Sequence, residues 1–227
     1  MSFINRIKER AKQNIKTIVL PETMDRRTLE ATSIILNEGI ANIILVGTDE
    51  EIEKNSVGLD ISRAKRINPL TSELTNPLAD KLYELRKEKG MTREEAYNLL
   101  TTDYMYFACM LVNEGMADGA VSGACDSTSN TLRPALQIIK TAPNTKLVSA
   151  FFVMVVPNCE YGANGTFVFA DSGLEQNPDP EKLAAIAASS SESFELLVEE
   201  KPITAMLSHS TMGSAKHADV YKVVEAS

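Results

Sequence analysis

Continuous apolar runs alternate along this chain with stretches whose apolar positions recur every three or four residues. Residues 16–20 (Lys-Thr-Ile-Val-Leu) and 42–46 (Asn-Ile-Ile-Leu-Val) are runs of the first kind, closed by Pro21 and Gly47. Strands apolar on both faces and separated by helices predict a parallel sheet covered on both sides. Asp25 caps an expected helix to about Asn37, with Leu29, Ile35 and Leu36 inward and Gly39 beyond its end. Short helices are expected over 50–55, 93–100 (capped by Thr92) and 103–114, and a longer one over 77–89 with Leu78, Leu82 and Leu85 on one face. Met105, Ala108 and Val112 at helical spacing read as core packing. A weak strand is expected over 64–67. Residues 1–10 read as an amphipathic helix without the apolar core of a signal peptide.

The stretch 118–140 organises the rest. Gly119-Ala-Val-Ser-Gly123 reads as a short buried strand closed by glycine, and Leu132, Ala135, Leu136 and Ile139 form the apolar stripe of a following helix. Between them lies Ser127-Thr-Ser-Asn-Thr131, rich in hydroxyls that cap helices. This spacing places Arg133 one or two residues inside the helix and Pro134 in its first turn, where a missing N–H costs nothing. Free N–H groups and a guanidinium would then converge as an anion cradle. Capping alone would also account for the pattern.

Past Pro143 the character changes, and Pro143-Asn144 predicts a domain boundary, giving domains 1–143 and 144–227. A long strand is expected over 146–156 and another over 166–170; whether they pair as an antiparallel hairpin is open. Asp179 followed by Pro180 predicts a helix start, with the helix running to Val198. Residues 202–207 read as a further strand. It leads into Ser208-His-Ser-Thr-Met-Gly-Ser-Ala215, a second polar corner open to either capping or ligand contact, and an amphipathic helix begins near Asp219.

Composition narrows the function classes. The 227 residues carry a net charge of −8, which argues against a nucleic-acid or membrane-surface partner. No apolar run approaches the ~20 residues that span a bilayer, so a cytoplasmic location is the expectation. Cys109, Cys125 and Cys159 are too scattered for a disulfide framework or a metal site, and no metal is expected. Cys125 lies beside the cradle, but a catalytic thiol wants an adjacent base, and His209 and His217 are distant in sequence. Arg133 is the last arginine of the chain. No dinucleotide or Walker glycine motif follows any strand.

The residues Ala117-Asp-Gly-Ala-Val-Ser-Gly123, Ser127-Thr128, Thr131-Leu-Arg-Pro134 and Leu136-Gln-Ile-Ile-Lys-Thr-Ala-Pro143 resemble the signature of the phosphate acetyltransferases. Tyr83-Glu-Leu-Arg-Lys87 is similar to the family's basic helix end, and residues 206–215 to its Met-Leu-Ser-x-Ser-Thr-x-Gly-Ser-Ala pattern. One position departs: Asp126 stands where the family usually has histidine. The resemblance implies two three-layer α/β domains with mostly parallel sheets and an interdomain cleft, the second domain incomplete at Ser227. It implies exchange of an acetyl group between coenzyme A and inorganic phosphate, by direct attack of the coenzyme A thiolate in a ternary complex.

Under the same resemblance Arg133 is the expected catalytic cation. Arg86 would contact a coenzyme A phosphate, although cations at a helix C-terminus are also ordinary dipole complements. Ser127, Thr128, Thr131, Ser208, Ser210, Thr211 and Gly213 are the other expected substrate contacts. Coenzyme A, acetyl phosphate and phosphate are the expected ligands, with no tightly bound cofactor, and a homodimer is implied. The family's catalytic aspartate, with its neighbouring serine and arginine, matches no residue here. A fragment that only binds coenzyme A or phosphate, and a phosphate butyryltransferase, are the competing expectations.

Overall fold

A computed structural model describes residues 2–227 except 144, 146 and 212. Its chain contacts divide into one unit of Lys8–Lys140 and another of Met1–Ile7 with Thr141–Ser227. The expected boundary residue Asn144, the start of the 146–156 strand at Lys146, and Met212 of the second polar corner lie outside the described residues.

The expected N-terminal helix is α1 (Phe3–Gln13), and in the larger unit the apolar runs become β1 (Lys16–Leu20) and β2 (Ala41–Val46), joined by β3 (Lys65–Ile67) and β4 (Gly119–Ala120). They form one parallel sheet in the order β3-β2-β1-β4. Alternation along β2 explains why both faces are covered. Ile43 and Leu45 face one cluster with Leu29, Leu36 and Ile52, from α2 (Arg26–Glu38) and α3 (Asp49–Asn55). Ile44 and Val46 face the other, built from α4 (Thr75–Arg86), α5 (Arg93–Thr102) and α6 (Tyr104–Asn113). Each fully buried leucine or isoleucine here contributes roughly 1.5–3 kcal/mol.

Local chemistry sets the ends of these elements. Asp25 accepts from Arg27 N–H at the start of α2, and Gly39 closes it at φ 66°. Thr48 with Glu51 and Thr92 with Glu95 form capping boxes for α3 and α5. Gly47 is required for a packing reason: a Cβ there would lie 1.8 Å from Thr23 Oγ1, which itself donates to Val46 O.

Two expectations in the 118–140 stretch are corrected. The strand holds only Gly119–Ala120, half-buried rather than buried, because after Val121 N–H donates to Val19 O the backbone turns away from β1. The helix α7 spans Thr128–Ile138, with Ser127 as N-cap accepting from Asn130 N–H. It therefore starts four residues before Leu132, and Pro134 sits inside it. The apolar stripe had marked only the packed half of the helix; its first turn is polar and exposed. The missing N–H of Pro134 leaves the Asn130 carbonyl without its donor four residues on.

In the smaller unit β5 (Phe151–Val155) pairs antiparallel with β6 (Thr166–Ala170), in the register Phe151↔Ala170 to Val155↔Thr166. The pairing that the sequence left open is thus an antiparallel hairpin. The helix α8 (Pro180–Val198) starts at Asp179, whose carboxylate accepts from Lys182 N–H, and touches β6 and α9 (Ala218–Ala226). The strand expected over 202–207 is not one. No described backbone pairs with it, and Ile203 and Leu207 are 97% and 86% exposed. An apolar run reads as a strand only where a ladder partner exists.

Candidate functional site

The parallel sheet reverses its order between β1 and β4, since β2 and β3 lie on one side of β1 and β4 on the other. In such sheets ligands bind outside the carboxyl ends of the strands at this switch point. Here the crevice is already filled from within. Glu22, immediately after β1 and Pro21, is 2% exposed. Its Oε2 accepts from Gly123 and Ala124 N–H at 2.9 and 2.8 Å, and its Oε1 from Cys125 and Asp126 N–H at 2.8 Å each. Gly123, at φ 111°, lies in the left-handed region. Burial pushes the Glu22 carboxyl up, but the N–H groups of Cys125, Ala124 and Asp126 and the Cys125 side chain outweigh it, so the net shift is downward.

The anion cradle expected at this loop is thus shifted by a few residues. The N–H groups of residues 123–126 are spent on Glu22, leaving those at the start of α7. Ser127 Oγ is engaged by Asn130 N–H and lies 3.1 Å from Ser129 Oγ. Thr128 is exposed, and Thr131 Oγ1 is buried without a hydrogen-bond partner among the described residues. Arg133 lies in the second turn of α7 and is exposed, with no ion pair or hydrogen bond to a described residue. A helical side chain leans towards the N-terminus, so its guanidinium reaches back over the first turn.

Arg133 and Arg86 share an electrostatic neighbour. Burial and the Asp103 carboxylate raise the Tyr106 phenol, and Arg133 and Arg86 both oppose that rise. Asp103, the N-cap of α6, is raised by burial and by Asp126, while its own N–H bonds from Tyr106 and Met105 and the charge of Arg133 oppose this. Two arginines from different helices therefore act on the charge of one phenol, Arg86 from the wall of the cavity that Tyr106 also lines, and the Tyr106 hydroxyl donates to Gln137 Oε1 at 2.9 Å.

That phenol lines a cavity of about 560 Å³ together with Arg86, Lys89, Met91, Asn98 and Gln137. Arg86 closes α4, and its Nε is buried without a partner among the described residues. The open cavity also carries the Glu95 carboxylate, so an anionic group is favoured at its Arg86 and Lys89 side, while the amides and apolar walls suit a flat or apolar part of the same ligand.

Cys125 is exposed, but burial, then the Glu22 and Asp126 carboxylates, push its thiol up to about 11, which leaves little thiolate near neutral pH. In the smaller unit the second polar corner caps itself. Ser208 Oγ accepts from Ser210 N–H, Ser210 Oγ from Ala215 N–H, Thr211 N–H donates to Ser214 Oγ, and Gly213 turns at φ 82°. Among the described residues no group of three or more acidic, histidine or cysteine side chains could hold a metal ion, and no helix is long and apolar enough to cross a membrane.

Sequence reasoning missed Glu22, Tyr106 and Gln137. An acidic residue directly after a buried strand was the available signal for Glu22.

Comparison with known proteins places these residues in context. A family profile described as Phosphate acetyl/butaryl transferase matches residues 2–227. The chain is 54% identical over 226 residues to a phosphate acetyltransferase of Acetivibrio thermocellus, covering 100% of this chain and 68% of that protein. It is 46% identical over 228 residues to the phosphate acetyltransferase of Clostridium acetobutylicum, with the same coverage of 100% and 68%. Among solved structures it is similar to the EutD phosphotransacetylase from Staphylococcus aureus, with a TM-score of 0.87, 39% identity, and 99% of this chain against 66% of that one. A phosphotransacetylase from Streptococcus pyogenes gives 0.88, 36%, 99% and 67%. The chain thus spans about two thirds of the length of these relatives.

Proposed function

This chain belongs to the phosphate acetyl/butaryl transferase family, and from that premise we propose that its protein exchanges an acetyl group between coenzyme A and inorganic phosphate. Acetyl-CoA and phosphate give acetyl phosphate and coenzyme A, and the reverse. The observation that carries the assignment of parts is the cavity lined by Arg86 and Lys89 together with Arg133, exposed on the second turn of α7 without an ion-pair partner among the described residues.

In this reading Arg86 and Lys89 hold coenzyme A phosphates in the cavity. Arg133 draws phosphate or acetyl phosphate to the start of α7, where Ser127, Thr128 and Thr131 offer N–H and hydroxyl donors. The coenzyme A thiolate attacks the acetyl carbonyl directly. Positive charge at Arg133 stabilises the oxyanion and the departing phosphate as negative charge moves onto them. No covalent enzyme intermediate is needed, and the raised Cys125 thiol is a poor candidate for one. No residue of this chain is assigned as the base. Ser208, Ser210, Thr211 and Gly213 are further substrate contacts.

The proposal includes a cytoplasmic homodimer without a tightly bound cofactor, acting on small anions rather than nucleic acid or membrane. It also keeps a domain boundary near residue 143, which the end of α7 at Ile138 supports.

The test is thioester formation from coenzyme A and acetyl phosphate, with calorimetric titration of coenzyme A alongside. Saturable coenzyme A binding and faster turnover of acetyl than butyryl phosphate are expected. Preference for the butyryl compound would make it a butyryltransferase. Binding without turnover would reduce the chain to a ligand-holding fragment. Absence of both would overturn the reading.

A further inference from the structure

We propose that Glu22 is a positioning residue for the anion site on α7: its buried carboxylate occupies the switch-point crevice and thereby fixes the loop that leads into α7, the helix that carries Arg133. The inference rests on the function proposed above and deepens it, since Glu22 would never touch substrate.

The geometry is that of a ligand site satisfied internally. Consecutive N–H groups of residues 123–126 converge on the two oxygens of one carboxylate, at 2.8–2.9 Å. Such concave runs of N–H groups are general anion receptors. A free phosphate is excluded here twice over, because the donors are engaged and a fixed negative charge stands among them. The next donors along the chain without an acceptor among the described residues are the Thr128 and Ser129 N–H groups, since Asn130 N–H donates to Ser127 Oγ and Thr131 N–H to Ser127 O, which brings an incoming anion to the start of the helix that carries Arg133.

The clamp has little slack. Its last donor, Asp126, directly precedes the N-cap Ser127. Any rotation of the loop therefore turns the first turn of α7 and the arginine that reaches back over it. The outer side of the loop is held as well: Arg27 Nη2 donates to Ala124 O at 2.5 Å while the same guanidinium grips Asp25 at 2.6 Å. The loop is thus held between a buried anion and an exposed cation, both supplied by the segment that follows β1.

The variant Glu22→Gln puts an amide NH₂ among N–H donors and leaves some of them unpaired. Two measurements test the proposal. Amide hydrogen exchange at residues 123–126 and in the first turn of α7 should accelerate by at least about tenfold, with the β1–β2 ladder still protected, the loss of charged acceptors being the cause. Phosphate affinity should fall by about tenfold or more, and in a double-mutant cycle Glu22→Gln should add almost nothing to Arg133→Ala, because both act through one guanidinium. Unchanged exchange in a folded variant overturns the clamp. Effects that multiply in the cycle overturn the link to Arg133 and leave only a structural role. If Glu22→Gln unfolds, Glu22→Asp carries the same readouts; it keeps the charge but withdraws it by a methylene, and smaller shifts of the same sign are expected. Failure of the wild-type chain to bind coenzyme A or phosphate would strike the proposed function instead, while exchange still reads the clamp without ligand.

Discussion

The Tyr106 hydroxyl donates to Gln137 Oε1 across 2.9 Å and so ties α6 to the last turn of α7. Tyr106 is 5% exposed as a residue, yet its hydroxyl end reaches the cavity that Arg86 lines. One phenol thus joins the core of the larger unit to the helix carrying Arg133.

Tyr106→Phe keeps the ring and removes that bond. The expected cost is about 1 kcal/mol of stability, the usual net worth of such a hydrogen bond, together with the Gln137 oxygen losing its donor. Denaturant unfolding reads the loss. Local hydrogen exchange should place it at the contact between α6 and α7, and an unchanged midpoint would mean that water replaces the phenol there without cost.

The Cys125 thiol, pushed up to about 11, should be alkylated by iodoacetamide near pH 8 roughly 10²-fold more slowly than a free cysteine, because only the thiolate reacts. Burial is the leading cause and the neighbouring Glu22 carboxylate the next. Removing that charge in Glu22→Gln lowers the thiol pKa and should speed alkylation. Mass spectrometry of the Cys125 peptide over time measures both rates. A wild-type rate equal to that of free cysteine would contradict the environment described.

What could be read in the sequence was whatever is local. Asp25, Thr92 and Asp179 cap helices with groups two or three residues away, and the apolar runs at 16–20 and 42–46 carry their two-sided burial in their composition. What failed depends on distant partners. Glu22 is separated by 101–104 residues from the N–H groups that define it, so its place after β1 singles out the carboxylate but not the groups it pairs with. Residues 202–207 have strand composition without a neighbouring strand among the described residues. The start of α7 was misjudged because its first turn is polar, so the apolar stripe announces the helix only from Leu132 onwards. That error displaced Arg133 from the first turn to the second, and the donors thought to be free belong to Glu22.

Acid should weaken the larger unit through that same carboxylate. Glu22 has a folded pKa below its ordinary value, so its contribution is complete above the unfolded pKa, about 4.3, and is lost as pH falls through the lower folded value. Asp118, which accepts from Thr17 N–H and Lys16, shifts the same way and adds to the trend. In urea titrations the dependence of stability on pH below about pH 4.3 should be shallower in Glu22→Gln, by up to about 1.4 kcal/mol per pH unit, the effect of one proton. Identical slopes would mean that the carboxylate ionises no more easily in the folded protein than in the unfolded chain.

Arg133 presents the opposite case, a charge that the fold does not use. It is exposed and has no described ion-pair partner, so Arg133→Ala should change stability by no more than about 0.5 kcal/mol. Activity should respond very differently. Loss of a group that stabilises charge in the transition state typically costs about 10²–10³ in turnover, and Arg133→Ala should lose at least that in the acetyl phosphate assay. Arg133→Lys keeps a charge but not the two-pronged donor geometry, and should fall between. A second readout needs no turnover: Arg133 holds the Asp103 carboxyl down against its burial, so the alanine variant should titrate Asp103 at higher pH in carbon-detected NMR. Full turnover in Arg133→Ala, beside the expected rise at Asp103, would leave the arginine electrostatically where the structure puts it and remove it from the chemistry.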